Sequence, residues 1–181
     1  MAKKFKLAEV SDLKDRSVFF DANVLIYLFW PTGRQTFETN YANAFARLLR
    51  QQNTFFVDFS VISEIINRAI QTEYSKYLLT HSLNKNKFKY KDYRKSADGQ
   101  EALKDIYLIV EQQILNRFKV KGKTYTVDTL KKLLIVDDLD FVDKSIVDIC
   151  RENNFVLLTN DKDFKDTNID ILSCNKHIFR A

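Results

Sequence analysis

Residues 17–30 run Ser17-Val18-Phe19-Phe20-Asp21-Ala22-Asn23-Val24-Leu25-Ile26-Tyr27-Leu28-Phe29-Trp30. Residues 17–20 have the apolar density of a short buried strand, and residues 23–30 read as the helix that follows it, stopped by Pro31-Thr32-Gly33. Asp21 falls at the junction. A carboxylate at the mouth of a buried strand is costly to desolvate unless it is paired, hydrogen-bonded or bound to a cation.

The same arrangement recurs along the chain. Thr54-Phe55-Phe56-Val57 predicts a second strand, and Ser60 is a plausible N-cap for a long helix with Val61, Ile62, Ile65, Ile66 and Ala69 on its apolar face and Glu64 among them. Residues 141–154 have helical spacing, with Val142, Ile146, Ile149 and Cys150 inward and Asp143 near the start. Residues 155–158 predict a strand that runs into Thr159-Asn160-Asp161, and Ile169-Asp170-Ile171-Leu172 predicts a final edge strand. Further helices are expected at 41–50, 100–118 and 127–134. Strands that alternate with helices predict a parallel α/β sheet, and ligands of such sheets gather at the carboxyl ends of the strands.

At 181 residues, 45% hydrophobic and with only 3 Gly and 1 Pro, the chain fits a single domain over 1–181 with its own core. Cys150, Cys174, His81 and His177 are too dispersed for a disulfide framework or a zinc site. The basic start Met1-Ala2-Lys3-Lys4-Phe5-Lys6 leads into no apolar signal region, and no run approaches the roughly 20 apolar residues of a membrane span. A soluble, cytoplasmic protein is expected. The net charge is +5, yet residues 68–133 hold 15 Lys and Arg against 7 Asp and Glu, so the remainder carries −3. A basic arm beside an acidic site suits a polyanion gripped through its backbone, although a lysine-rich solvated helix surface has the same composition.

Each acid has an ordinary reading beside the chemical one. Asp21 at a strand-helix junction is also a common helix N-cap, and Glu64 in an apolar helix also fits a solvent-facing residue. Asp137-Asp138-Leu139-Asp140-Phe141-Val142-Asp143 offers more carboxylates than one site uses, and some complement a helix dipole. Asp143 is the first choice there and Asp140 the second. In Thr159-Asn160-Asp161-Lys162-Asp163-Phe164, Asp161 is the better ligand and Asp163 an outer candidate. Acids that converge repel one another, and a hard divalent cation with oxygen ligands, Mg²⁺ or Mn²⁺, relieves that repulsion.

Four phrases then stand together: Phe20-Asp21-Ala22-Asn23-Val24-Leu25-Ile26, Ser60-Val61-Ile62-Ser63-Glu64-Ile65, Asp143-Lys144-Ser145-Ile146-Val147-Asp148-Ile149-Cys150 and Leu157-Leu158-Thr159-Asn160-Asp161-Lys162-Asp163-Phe164. In this order they resemble the acidic motifs of PIN-domain nucleases, including VapC-type toxins. The resemblance implies a Rossmann-like fold, with a mainly parallel sheet flanked by helices, here with a basic helical insertion at about 73–132. It implies Asp21, Glu64, Asp143 and Asp161 as catalytic and metal-binding acids, Asn23 and Thr159 as polar supports, and Mg²⁺- or Mn²⁺-dependent cleavage of RNA. For VapC-type members it also implies a homodimer and a cognate antitoxin.

In the insertion, Lys85, Lys87, Lys89 and Lys91 are expected to hold RNA phosphates and the interleaved tyrosines to stack on unpaired bases. A phosphatase of the haloacid dehalogenase type also uses an Asp after a strand, but wants a second acid two residues on, where this chain has Asn23. A non-catalytic RNA-binding or protein-interaction domain that keeps the fold is the alternative of a different class.

Overall fold

The computed structural model describes residues 2–30 and 33–180. Pro31 and Thr32, read as part of the stop after the first helix, lie outside the described residues. Six short strands form one all-parallel sheet: β1 (Lys4–Lys6), β2 (Val18–Phe20), β3 (Phe55–Val57), β4 (Phe118–Val120), β5 (Val156–Leu158) and β6 (Ile171–Ser173), in the spatial order β1-β6-β5-β2-β3-β4. The helices are α1 (Ala22–Phe29), α2 (Gln35–Arg50), α3 (Phe59–Thr80), α4 (Tyr90–Lys95), α5 (Ala97–Ile109), α6 (Val127–Leu133) and α7 (Phe141–Asn153), with a π-helical turn extending α5 over Val110–Leu115. This is the parallel α/β sheet that the alternating pattern predicts and the Rossmann-like arrangement that the motif resemblance implies.

Successive strand residues point to opposite faces of a sheet, and Phe19 and Phe20, both fully buried, use this to anchor the two layers. Phe20 sits edge-on to Phe45, Phe55 and Phe118 at 5.8, 5.2 and 4.9 Å between ring centres. On the other face, Phe155 stacks on Phe56 at 4.2 Å and on Phe19 at 6.5 Å. These rings fix the side-by-side order of β2, β3 and β4 through packing, since strands of three residues make few ladder hydrogen bonds.

Several expectations need correction. The segment 169–172 does supply a strand, but β6 is interior, because β1 pairs with it in register from Lys4 with Ile171 to Lys6 with Ser173. Residues 100–118 are helical only to Leu115, and Phe118 begins β4 as the sheet's opposite edge. The stretch 73–132 therefore adds a strand as well as helices. The N-cap of α3 is Asp58, not Ser60: its carboxylate accepts from the Val61 N–H at 2.8 Å and from the Ser60 hydroxyl. Helix α2 begins at Gln35 rather than at residue 41, with Tyr41, Ala44 and Leu48 as its buried line, and on α7 Val142, expected inward, is exposed. Among the described residues no helix is long and apolar enough to cross a membrane.

The expected base-stacking tyrosines have another use. Tyr93 is buried against Tyr74 and Tyr77, on which Tyr90 and Phe88 pack in turn, a small aromatic core with ring centres 5.1 to 5.6 Å apart. Where α4 meets α5, Gly99 is required because a Cβ there would lie 1.9 Å from the Tyr93 carbonyl oxygen. Gly99→Ala is expected to destabilise the fold by about 2–3 kcal/mol, since backbone has to move. Gly122→Ala, with open space around it, should stay within about 0.5 kcal/mol of the parent. Urea unfolding of the two variants checks the contrast.

Candidate active site

The chain runs from β2 to β3 and β4 on one side of the sheet, while β5 and β6 lie on the other, so the strand order reverses between β2 and β5. Their carboxyl ends flank the crevice such a reversal leaves. Asp21 follows β2 directly and Thr159 follows β5 directly. The Asp21 N–H donates to the Leu158 carbonyl at 3.1 Å, which continues the β2–β5 pairing to the lip of the sheet.

Asp21 is buried and its carboxylate is fully engaged on one oxygen. Oδ2 accepts from the Thr159 hydroxyl at 2.6 Å and from Asn23 Nδ2 at 2.6 Å. Thr159 Oγ1 in turn accepts from the Asp161 N–H at 2.9 Å, and Asn23 Oδ1 accepts from the Asn160 N–H at 3.1 Å. The two residues expected as polar supports thus tie the end of β2 to the turn after β5. Sequence reasoning missed the next layer. The Tyr41 hydroxyl is 3.0 Å from the Thr159 carbonyl and 3.0 Å from Asn160 Oδ1, and accepts from the Cys174 N–H at 3.3 Å. Its signal was present as a tyrosine in line with Ala44 and Leu48 on α2, a buried ring whose hydroxyl needs a partner.

Around Asp21 a cavity of about 280 Å³ is lined by Asn23, Tyr27, Arg34, Glu64, Arg68, Asp140, Asp143, Asn160, Asp161, Lys162 and Asn175 as well. Five candidate acids, from β2, α3, α7 and the turn after β5, therefore share one cavity. Asp163 does not join them: it faces a separate cleft with Lys165 and Asp166, and its N–H donates to Asp161 Oδ1 at 3.0 Å. Asp140 reaches the cavity while capping α7 through the Asp143 N–H at 2.8 Å. The lysines Lys85, Lys87, Lys89 and Lys91 are exposed on and before α4 and line no part of this cavity.

The acids feel one another. Burial pushes the Asp21 carboxyl up to about 6, helped by the charges of Glu64 and Asp161 and opposed by the Thr159 hydrogen bond. Burial pushes Asp143 up to about 7, with Asp140, Asp21, Asp161 and Glu64 all adding to the rise. Glu64 is raised by burial and held back by Arg68, its ion-pair partner at 3.2 Å. This donor set of hard oxygens, two of them held well above the ordinary carboxylate range by burial and by one another's charge, fits a hard divalent cation. Among the described residues no three His, Cys, Asp or Glu side chains yet stand as a coordination shell. Glu64 is turned to Arg68, Asp140 to its own helix and Asp161 to its own turn.

Compared with known proteins, the family model for the PIN domain matches residues 18–170, most of the chain. No curated protein matches it significantly.

Proposed function

The chain belongs to the PIN domain family, a nuclease-type family, and from that premise we propose that it is a metal-dependent endoribonuclease. The observation that carries this reading is the single cavity shared by Asp21, Glu64, Asp140, Asp143 and Asp161, with Asp21 and Asp143 raised by burial and by the company of the other acids. Asp21, Glu64, Asp143 and Asp161 are the residues that would hold Mg²⁺ or Mn²⁺, with Asp140 beside them. When bound, such a cation supplies the Lewis acidity that activates water and offsets charge on the leaving oxygen of a phosphodiester.

The chain's own residues do the positioning. Thr159 and Asn23 hold one oxygen of Asp21 and leave the other for a ligand. Tyr41, locked between α2 and the turn after β5, sets the turn that carries Asp161. The cluster's negative charge keeps phosphates out until a cation balances it. Purified protein should cleave single-stranded RNA with Mn²⁺ or Mg²⁺ and stop in EDTA; no cleavage under either metal would remove the reading.

Lys85, Lys87, Lys89 and Lys91 fit a backbone-gripping role outside the cavity. Changing all of them to Ala should weaken RNA binding and lower the salt slope by about 0.7 for each phosphate that is no longer neutralised. An unchanged slope in a filter-binding titration would reassign them to solvation. The narrower role as a VapC-type toxin, homodimeric and restrained by an antitoxin, rests on the motif resemblance. Growth arrest on induction that Asp21→Asn abolishes would support it.

A non-catalytic RNA-binding domain is the second reading, favoured by the acids' engagement with local partners rather than with one another. It predicts RNA binding that no divalent metal converts to cleavage.

A further inference from the structure

A groove between α1 and α3 opens directly from the acidic cavity. Glu64, Arg68 and Thr72 stand four residues apart along α3 and so share one face, while Asn23, Ile26 and Tyr27 line the opposing side of α1. Between them lies a second cavity of about 250 Å³, lined by Asn23, Ile26, Tyr27, Arg34, Arg68 and Thr72. It shares Asn23, Tyr27, Arg34 and Arg68 with the acidic one. The carboxylates line only the first; the two guanidinium groups, the phenol and the amide face both, and the second adds Ile26 and the Thr72 hydroxyl and no acid.

The groove is partly preformed. Tyr27 is clamped between Tyr41 and Phe37, with ring centres 5.8 and 5.6 Å away. Its hydroxyl accepts from Arg34 Nη1 at 3.5 Å and from Asn160 Nδ2 at 3.4 Å, which leaves the phenolic proton for an acceptor in the groove. Arg68 is paired with Glu64, but both side chains are about half exposed, a setting in which ion pairs are weak and a phosphate competes well for a guanidinium. Ile26 provides an apolar surface for a sugar or base.

We infer that this groove is the subsite for the nucleotide next to the scissile phosphate, with Arg68 and Arg34 taking its phosphodiester and Tyr27 and Ile26 its sugar and base. The inference rests on the ribonuclease reading of the adjoining cavity, and it names an RNA strand as the ligand. It also gives α3 two tasks one turn apart: Glu64 toward the cation and Arg68 toward the strand.

The test is fluorescence anisotropy of a labelled single-stranded decaribonucleotide, in an Asp21→Asn background with EDTA, so that neither turnover nor metal loading enters. Arg68→Ala and Arg34→Ala should each weaken binding about five- to tenfold and lower the salt slope by about 0.7. Arg68→Lys should restore the slope but not the full affinity, because the planar fork is lost. Thr72→Glu should weaken binding with both arginines intact, which keeps the test decisive if an arginine variant misfolds. Lys104→Ala, on the exposed side of α5, should change neither quantity.

Parent affinity and slope in both Arg68→Ala and Thr72→Glu would overturn the subsite. If the wild type cleaves no RNA while these binding losses appear, the groove stands and the hydrolysis proposal falls. Cleavage by the wild type with silent groove variants removes the subsite alone.

Discussion

Asp21→Asn is expected to lower RNA cleavage by about 10³-fold or more while leaving the fold intact and more stable than the parent without metal. The substitution is close to isosteric, and an amide oxygen in place of Oδ2 still accepts from Thr159 and Asn23, so the turn after β5 keeps its ties. What goes is the charge of the most buried acid in the cavity. A loss of about 10³-fold corresponds to about 4 kcal/mol of transition-state stabilisation. In the other direction, a carboxyl whose pKa rises from 3.8 to about 6 on folding must be ionised at neutral pH against roughly 3 kcal/mol of unfavourable environment, which the amide avoids. Loss of activity together with a higher melting temperature in EDTA distinguishes a functional charge from a structural cap. A cap removed would lower both.

Without metal, the protein should lose stability as pH rises from about 4 to 8. Asp21 and Asp143 bind their protons more tightly in the folded chain than in the unfolded one, so between their unfolded value of 3.8 and their folded values of about 6 and 7 the native state carries more protons. Stability is then fully present below the unfolded pKa and falls as pH climbs through the folded ones. Asp21 alone accounts for about 3 kcal/mol, and Asp143, which is more solvated, for less than its shift implies. Millimolar Mn²⁺ at about neutral pH should return the lost stability, because it binds the ionised native state and not the unfolded chain. Thermal melts across this pH range, with EDTA and with Mn²⁺, read both effects. Asp143→Asn should flatten the EDTA series. Melting temperatures indifferent to pH and to Mn²⁺ would show that the acids are each satisfied by local partners alone.

The elements around the cavity were legible in the sequence for a physical reason. β2, β3 and β5 are apolar on both faces because helices cover both, and such strands stand out as continuous runs ending in polar residues. Asp21 and Asp161 follow two of them, and Asp143 opens a helix with a clear inward stripe. The edges carried no such signal. β1 is Lys4-Phe5-Lys6 and β4 is Phe118-Lys119-Val120, each with one buried residue, and their identity is set by partners far away in the chain. Missing β1 made β6 look like an edge.

Side chains that serve packing and side chains that serve ligands look alike in sequence. The tyrosines of residues 74–93 read as a stacking platform, yet they fill the space between α3 and α4. Asn160 and Arg68 were not singled out, for the opposite reason, since each acts through a hydrogen bond or ion pair formed only when β5 and α3 take shape. The acids were found because burying a carboxylate is costly wherever it happens, and that cost is readable from the apolar residues on either side.

Calorimetric titration of Mn²⁺ into the metal-free protein at about neutral pH addresses the site most directly. Saturable binding, with protons released mainly from Asp143 and abolished in the Asp21→Asn, Asp143→Asn double variant, is the expected outcome. Absence of binding by the wild type, or equal binding by the double variant, would mean that the shared cavity is not a cation site.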